Sequence, residues 1–198
     1  MIALAAALLI STNAPAAEVV ANCRSMIPAD AELKGRIVLR SRKGIVQAEY
    51  GYDLVRKAGA TDLKLTKDDK DVEFEKSGQI LGTDVTWSDL TLDYLWWDDV
   101  SFDAEREGET VHGQTCMVIL VRPPEKIEGL EAVRLWADKK TGCLMQAEQL
   151  ADGMKPLRRL WGTRVKKFGE RWMVSVLEVE TLGSRHRTKI TVENLTEL

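Results

Sequence analysis

The strongest constraint on the fold is a series of strand-like segments that fills the chain after Asp103. Each segment is joined to the next by a short turn, such as residues 138–142 or Asp152-Gly153. Glycine in these turns supplies the positive φ that short hairpin connections need. No alternation of strands with crossover helices occurs, so neighbouring strands are expected to pair antiparallel. The predicted fold class is mainly β (α+β), a single large curved antiparallel sheet with one or two helices against it.

The first half of the chain is also predicted to contain strands. Apolar and polar residues roughly alternate in residues 33–42 and again in residues 45–55, and the turn-like Arg42-Lys43-Gly44 joins the two segments. This pattern predicts a hairpin with charged outer faces. Residues 60–76 are polar and are predicted to form an exposed hairpin or a flexible loop. The strands predicted after Asp103 are residues 110–121 (one strand, or a tight pair around Gly113), 132–137, 144–150, 157–168, 171–182 and 187–192.

Two helices are predicted. Residues 18–27 place apolar side chains on one side, and Pro28 ends the pattern. In residues 86–97, Thr86 can act as the N-cap and Asp89 favours the first turn. This second helix has two apolar stripes, so we expect the sheet to cover one side and another apolar surface to cover the other. The stripes are Trp87, Leu90, Tyr94 and Trp97, and Leu92, Leu95 and Trp96.

The N-terminus predicts export. Residues 2–10 form an apolar run too short to span a bilayer, and Ala14-Pro15-Ala16 fits a small-x-small cleavage site. No Lys or Arg precedes the run, and the alternative is a buried N-terminal helix, although the run lacks an amphipathic stripe. Lipid attachment at Cys23 is disfavoured, because Asn22 stands where a small residue is needed. We predict a signal peptide over residues 1–16 and a mature chain that is soluble and periplasmic.

Composition indicates one globular domain, predicted over residues 17–198. The 198-residue chain is 44% hydrophobic and 30% charged, as is typical of soluble globular proteins. The net charge of −3 gives no strong field, which argues against a nucleic-acid partner. A monomer is expected.

No motif in the sequence predicts catalysis. His112 and His186 lie in predicted strands without a second histidine or a carboxylate cluster at metal-ligand spacing. Lys140-Thr141-Gly142 matches the Lys-Thr-Gly of penicillin-recognising enzymes, but the Ser-x-x-Lys and Ser-Asp-Asn partners are missing, so a hairpin turn is predicted. We expect no enzyme activity, no metal and no cofactor. Three acidic residues are predicted to form a solvated helix end rather than a cation site: Asp98, Asp99 and Asp103.

Three cysteines leave the redox state open. In an oxidising compartment one pair among Cys23, Cys116 and Cys143 could form a disulfide, and all three pairings remain open. The alternative is three buried thiols that pack as small hydrophobic side chains. Their spacing matches no zinc motif.

Two of the predicted strands are strongly basic. The simpler interpretation is the charged outer face of an antiparallel sheet, and the alternative is a docking face for an anionic membrane or an acidic partner. The residues are Arg158, Arg159, Arg164, Lys166 and Lys167 in one strand, and Arg185, His186, Arg187 and Lys189 in the other.

Tryptophan is unusually frequent, with six residues against three Phe and three Tyr. Its large apolar area and single donor suit the wall of a ligand cavity, and they equally suit the core between helix and sheet. The six are Trp87, Trp96, Trp97, Trp136, Trp161 and Trp172.

An ordered set of motifs resembles the bacterial outer-membrane lipoprotein-sorting family, the LolA/LolB-like group. The resemblance covers most of the mature chain and is weakest over residues 58–77. The segments that carry it are residues 80–90 (ILGTDVTWSDL) with Tyr94-Leu95-Trp96, residues 113–119 (GQTCMVI), residues 133–138 (VRLWAD) with Thr141-Gly142, residues 172–176 and residues 187–190.

The resemblance implies an unclosed β-barrel with helices that cover its concave side. It also implies a periplasmic carrier that shelters lipoprotein acyl chains, or another lipid, in an apolar cavity during sorting to the outer membrane. Its partners would be an inner-membrane export complex and an outer-membrane acceptor. A sensor or adaptor that binds lipoproteins or lipids and signals to a protein partner is the alternative. The predicted cavity wall is Trp87, Leu90, Tyr94, Leu95, Trp96 and Trp136.

Overall fold

The structure, a computed structural model, describes residues 15–198, and all but the end of the predicted signal peptide lies outside them. The chain divides into two compact units. Unit 1 comprises residues 15–26 and 94–155, and unit 2 comprises residues 27–93 and 156–198. The predicted single domain over residues 17–198 stays a prediction. Within the described residues, no helix has the length and apolar character needed to cross a membrane.

Strands dominate the described part of the chain. The helices are α1 (Ala16–Ser25) and α2 (Trp87–Thr91), with 3-10 turns at Ile80–Gly82, Asp93–Trp96 and Ala104–Arg106. The strands are β1 (Ala31–Ser41), β2 (Val46–Lys57), β3 (Ala60–Lys67), β4 (Lys70–Val72), β5 (Asp99–Phe102), β6 (Thr110–Val111), β7 (Gln114–Arg122), β8 (Ala132–Asp138), β9 (Leu144–Ala151), β10 (Lys155–Phe168), β11 (Arg171–Thr181) and β12 (His186–Glu197).

Unit 2 contains an antiparallel sheet in the order β4-β3-β2-β1-β12-β11-β10. Ile37 of β1 pairs with Tyr50 on one side and Ile190 on the other, and both isoleucines are fully buried. Gly35 lies at a bulge in this register, where a Cβ would overlap the carbonyl oxygen of Thr191. The predicted hairpin of residues 33–55 is confirmed, and residues 60–72 form a further hairpin.

Unit 1 contains the strand order β9-β8-β7-β5, with β6 paired to β7. Every residue of β8 is buried, because α1 packs against this strand and against β5. Val19, Val20 and Cys23 supply the buried side of α1. The predicted mainly β, antiparallel fold class is therefore confirmed in both units. The alternative of a tight strand pair around Gly113 is also confirmed, and His112 lies in that turn rather than in a strand, with φ of 50°.

The predicted continuous helix over residues 86–97 is wrong. Helix α2 ends at Thr91, and Leu92 adopts a left-handed conformation with φ of 54° while its N–H bonds to the Ser88 carbonyl. The first of the two stretches that make up unit 2 ends one residue later, at Asp93. The two predicted apolar stripes require one continuous helix, so the break at Leu92 prevents them from forming.

Candidate functional site

The central feature of unit 2 is a short helical segment, residues 80–92, which we call the α2 segment. Left-handed residues stand near both ends, with φ of 50° at Leu81, 70° at Gly82 and 54° at Leu92. Thr86 and Asp89 form the predicted cap as a full capping box, and the Thr86 N–H donates to Asp89 Oδ2 at 2.7 Å. The segment is thus locally folded and bounded by two sharp turns of the chain.

Asp84 fastens the α2 segment to strands β11 and β12. Its side chain is fully buried, and Oδ1 accepts a bond from the Thr181 N–H at 3.1 Å. Oδ2 accepts from the Thr188 hydroxyl at 3.0 Å and lies 2.9 Å from His186 Nδ1. A buried carboxylate with several hydrogen-bonding partners is stabilised in place, whereas an unpartnered one would be costly.

Arg158 of β10 forms a second attachment. Its guanidinium pairs with the buried Asp89 carboxylate, donates to the Asp84 carbonyl, and reaches the Thr86 hydroxyl at 3.1 Å. Arg158 was predicted to lie on a charged outer face, but it is buried. A buried arginine needs an anionic partner, and Asp89, which is distant from Arg158 in the sequence, supplies one.

Arg56 of β2 forms the third attachment. Its guanidinium is buried and donates to the Thr91 carbonyl at 2.6 Å, at the last residue of α2. Burial lowers the pKa of Arg56 from its ordinary value. Three buried polar side chains therefore hold the α2 segment on the sheet of unit 2, together with the buried apolar side chains of Ile80 and Val85.

Unit 1 has a comparable buried ion-pair network within its strands. Arg134 of β8 bonds to Asp103 at 2.7 Å and to Glu148 of β9 at 3.4 Å, and all three side chains are buried. The prediction of a solvated helix end is therefore wrong for Asp103, which is the partner of a buried arginine. This network joins β8 to its neighbour β9 and to the turn that follows β5.

The six residues predicted to form a cavity wall occur in both units. In unit 2, Trp87 and Leu90 lie on α2 and are half-buried, and the Lys76 ammonium lies 4.4 Å from the Trp87 ring centre. In unit 1, Tyr94 and Leu95 are fully buried. Two further residues of unit 1 complete the set: Trp96, which is 45% exposed, and Trp136, which is buried. Their common role as a cavity wall stays a prediction.

Trp136 has a well-defined local environment. Its indole N–H donates to the Glu109 carboxylate at 2.9 Å, and its ring packs with Val111, Cys116 and Val118. A buried indole needs such an acceptor. The local packing of Trp136 matches the alternative interpretation, in which tryptophan fills the core.

All three cysteines are free thiols, so none of the open disulfide pairings is formed. The Cys23 thiol donates to the Gly142 carbonyl at 3.1 Å, and Cys143 Sγ lies 3.2 Å from Met26 Sδ. Burial raises the pKa of Cys23 to about 12. Cys23 is therefore a protonated packing residue at neutral pH.

Sequence reasoning missed Arg56, Asp84, Arg134 and Glu148. In a strand, a charged residue next to apolar ones has the same pattern whether it faces solvent or a buried partner. The partners lie far apart in sequence, so no local spacing reveals them. Within the described residues, no group of three or more His, Cys, Asp or Glu residues is placed to hold a metal ion.

Solved structures of similar fold include three with nearly complete coverage. A DUF1329 family protein from Desulfovibrio piger has a TM-score of 0.65 and 16% identity, covering 92% of this chain and 93% of that one. An outer membrane lipoprotein-sorting protein domain from Vibrio parahaemolyticus has a TM-score of 0.67 and 14% identity, covering 92% of each chain. A LolA superfamily protein from Nitrosomonas europaea has a TM-score of 0.68 and 12% identity, covering 93% of this chain and 94% of that one.

These similarities confirm the predicted fold class, a mainly β protein with an unclosed antiparallel sheet, and the resemblance to the LolA/LolB-like group. No curated protein matches the chain. A family model described as "Uncharacterized protein" matches residues 69–197, which is more than half of the chain. The chain therefore belongs to that family of uncharacterized proteins, and it has the fold of the LolA superfamily.

Proposed function

We propose that the protein is a periplasmic lipid-binding carrier that shelters acyl chains in an apolar cavity, in the sorting of lipoproteins to the outer membrane. The fold shared with a lipoprotein-sorting domain and a LolA superfamily protein supports this proposal. The proposal includes export with removal of residues 1–16, a monomeric mature protein, an inner-membrane export complex that loads it and an outer-membrane acceptor that unloads it.

One observation carries most of the proposal, namely how the α2 segment is attached. Asp84, Asp89 and Arg56 hold the segment through buried hydrogen bonds, while Trp87 and Leu90 on the same segment remain half-buried. Polar attachments are directional, so they fix the position of the segment while Trp87 and Leu90 keep part of their apolar surface accessible. Trp87 and Leu90 then supply apolar surface for a ligand.

The energetics of acyl-chain burial support a carrier. Burial of a methylene group contributes about 0.8 kcal/mol, so a fatty acyl chain of ordinary length gains roughly 10 kcal/mol when it leaves water. A binding surface of aromatic and aliphatic side chains is sufficient for this gain, and no catalytic group is needed. Release then requires a partner that offers the chain an equally dry environment.

The direct test is native mass spectrometry of protein purified from periplasm, before and after extraction with organic solvent. We expect a co-purifying mass in the range of a phospholipid or a lipoprotein acyl group, which extraction removes. A ligand-free mass, with no uptake of an added diacylated lipopeptide, would overturn the carrier proposal. The sensor or adaptor alternative would then be favoured.

A pair of variants refines this test. Leu90→Gln is expected to lower lipid occupancy, because it places an amide on the surface proposed to contact the acyl chain. Val165→Gln is the matched control, since Val165 is an exposed aliphatic residue of the same unit, 58% exposed. Equal lipid occupancy in the two variants would show that Leu90 does not contact the acyl chain.

A further inference from the structure

A second candidate binding site lies in unit 2, at one end of strands β1, β11 and β12. It is a groove of about 560 Å³, open to solvent on one side. Trp87 and Leu90 do not line the groove, and among its lining residues His186 lies beside Asp84 of the α2 segment. The lining residues are Arg40, Ser41, Arg42, Gly44, Glu178, Glu180, His186, Arg187 and Lys189.

Positive charge exceeds negative charge in this groove. Its lining carries four Arg or Lys side chains and two carboxylates, which leaves two net positive charges in a chain whose own net charge is −3. Among the residues that the structure describes, Arg40, Arg42 and Lys189 form no ion pair. The lining therefore carries a net positive charge that its own two carboxylates do not balance.

The strand register adds a second observation. Arg40 of β1 and Arg187 of β12 are direct cross-strand partners, so their side chains lie on the same face of the sheet. Like charges directly opposite each other destabilise a strand pair. Bonds from Arg187 to Glu178 and Glu180 offset part of this repulsion, whereas Arg40 has no such carboxylate partner in the described residues, so an anion on this face would be bound by Arg40.

Arg187 is held in a fixed position. Its two terminal nitrogens donate to Glu178 at 2.9 Å and to Glu180 at 3.3 Å, and its guanidinium lies 4.9 Å from the Trp161 ring centre. Pairing with carboxylates and packing against an indole fix the side chain and leave the other cations of the groove to meet a ligand.

We propose that this groove binds a phosphate monoester group. A phosphate monoester carries nearly two negative charges at neutral pH, which matches the net charge of the groove. Its several acceptor oxygens match the forked donors of Arg40 and Arg42 and the ammonium of Lys189. The ligand is either a free phosphate ester or a lipid with a monoester headgroup, and both present the same chemistry to the groove.

The first arm of the test uses the mature protein and glycerol phosphate, followed by calorimetry and by tryptophan fluorescence. We expect saturable binding that weakens as salt is added. The double variant Arg40→Gln, Lys189→Gln should weaken binding by about tenfold or more, since it removes two charge-assisted contacts. The matched control Lys166→Gln, Lys167→Gln removes the same charge elsewhere in unit 2 and should bind as the wild type does.

The second arm uses sedimentation with phosphatidylcholine vesicles, either alone or with about one fifth phosphatidic acid. Binding to the phosphatidic acid vesicles that the groove variant loses and the control keeps would identify a lipid headgroup as the source. Binding of glycerol phosphate with no such vesicle binding would identify a soluble ester. Binding in neither arm, or equal binding by the groove and control variants, would overturn the proposal and leave the acyl-chain proposal untouched.

Discussion

Both units contain a buried arginine paired with buried acid, and the two arginines serve different elements. In unit 1, Arg134 joins Asp103 and Glu148, so the charges lie within and beside one strand pair. In unit 2, Arg158 reaches from the sheet to Asp89 on the α2 segment. One network is built into a sheet, whereas the other attaches a short helical segment to a sheet.

This difference determines what each ion pair can do. Arg134 and Glu148 lie on the paired strands β8 and β9, so their charges cannot reach water unless these strands separate, and loss of the guanidinium should affect the sheet of unit 1. The α2 segment is thirteen residues long and is bounded by left-handed residues at Leu81, Gly82 and Leu92. It can detach locally, and the charges can then be solvated while the sheet stays intact.

The largest effect is expected from Arg134→Met. Removal of this guanidinium takes away the cation that pairs with the buried Asp103 carboxylate, which costs about 3–5 kcal/mol of unfolding free energy. Urea denaturation measures the loss. The control Arg122→Met breaks an exposed pair with Asp99, 3.7 Å apart, and should cost less than about 1 kcal/mol. Equal losses would contradict the account of unit 1.

Arg158→Met is expected to lower the unfolding free energy by less than Arg134→Met does. Its effect should be concentrated in the α2 segment. Asp89 can escape to water with the α2 segment, so the unfolding free energy should fall by about 1–3 kcal/mol. Hydrogen exchange should accelerate in residues 80–92 more than in the sheet of unit 2. In Arg134→Met, that segment should exchange as it does in the wild type. Uniform acceleration across unit 2 in Arg158→Met would contradict a separable segment.

Gly82→Ala should give a loss of about 1 kcal/mol, because alanine is strained at the positive φ of this position. Gly44→Ala is the matched control, since Gly44 also has positive φ and open space around its Cα. Both variants should lose similar stability in thermal unfolding. Only Gly82→Ala should speed hydrogen exchange in residues 80–92. Equal acceleration there in Gly44→Ala would contradict a local effect of Gly82 on the α2 segment.

The smallest effect concerns pH and Cys23. Burial raises the pKa of Cys23 to about 12, so the thiol contributes stability that is fully present below its unfolded-state pKa and is lost as pH rises toward 12. Between pH 7 and 9 the loss should be less than about 1 kcal/mol. The variant Cys23→Ala should lack this component in urea denaturation across that pH range. Identical pH dependence in both proteins would show that Cys23 does not titrate as its burial requires.

The strands were predictable because their pattern is local. The alternation in residues 33–55 and the turn glycines along the later strands are visible without knowledge of distant contacts. The capping box of Thr86 and Asp89 was predictable for the same reason. Such features need only the spacing of neighbouring residues.

The helix break at Leu92 and the buried charges were not predictable in this way. Residues 86–97 keep an apolar pattern across the boundary of the two units at Asp93, and local spacing carries no sign of that boundary. Asp103 and Arg158 have the sequence pattern of solvent-exposed charges, since their partners are brought to them only by the folded sheet. The candidate site in unit 2 depends on such long-range pairs. The sequence therefore predicted Trp87 and Leu90 as apolar wall residues of that unit and did not predict the role of Asp84, Arg56 or Arg158 in attaching the α2 segment.

The central claim is that an acyl chain binds against the α2 segment, in contact with Trp87 and Leu90. The most direct measurement is hydrogen exchange of the delipidated protein, with and without a saturating diacylated lipopeptide. The account predicts that the lipopeptide slows exchange in residues 80–92 and leaves the groove residues at the ends of β1 and β12 unchanged. An exchange profile that is identical with and without bound lipopeptide would contradict it.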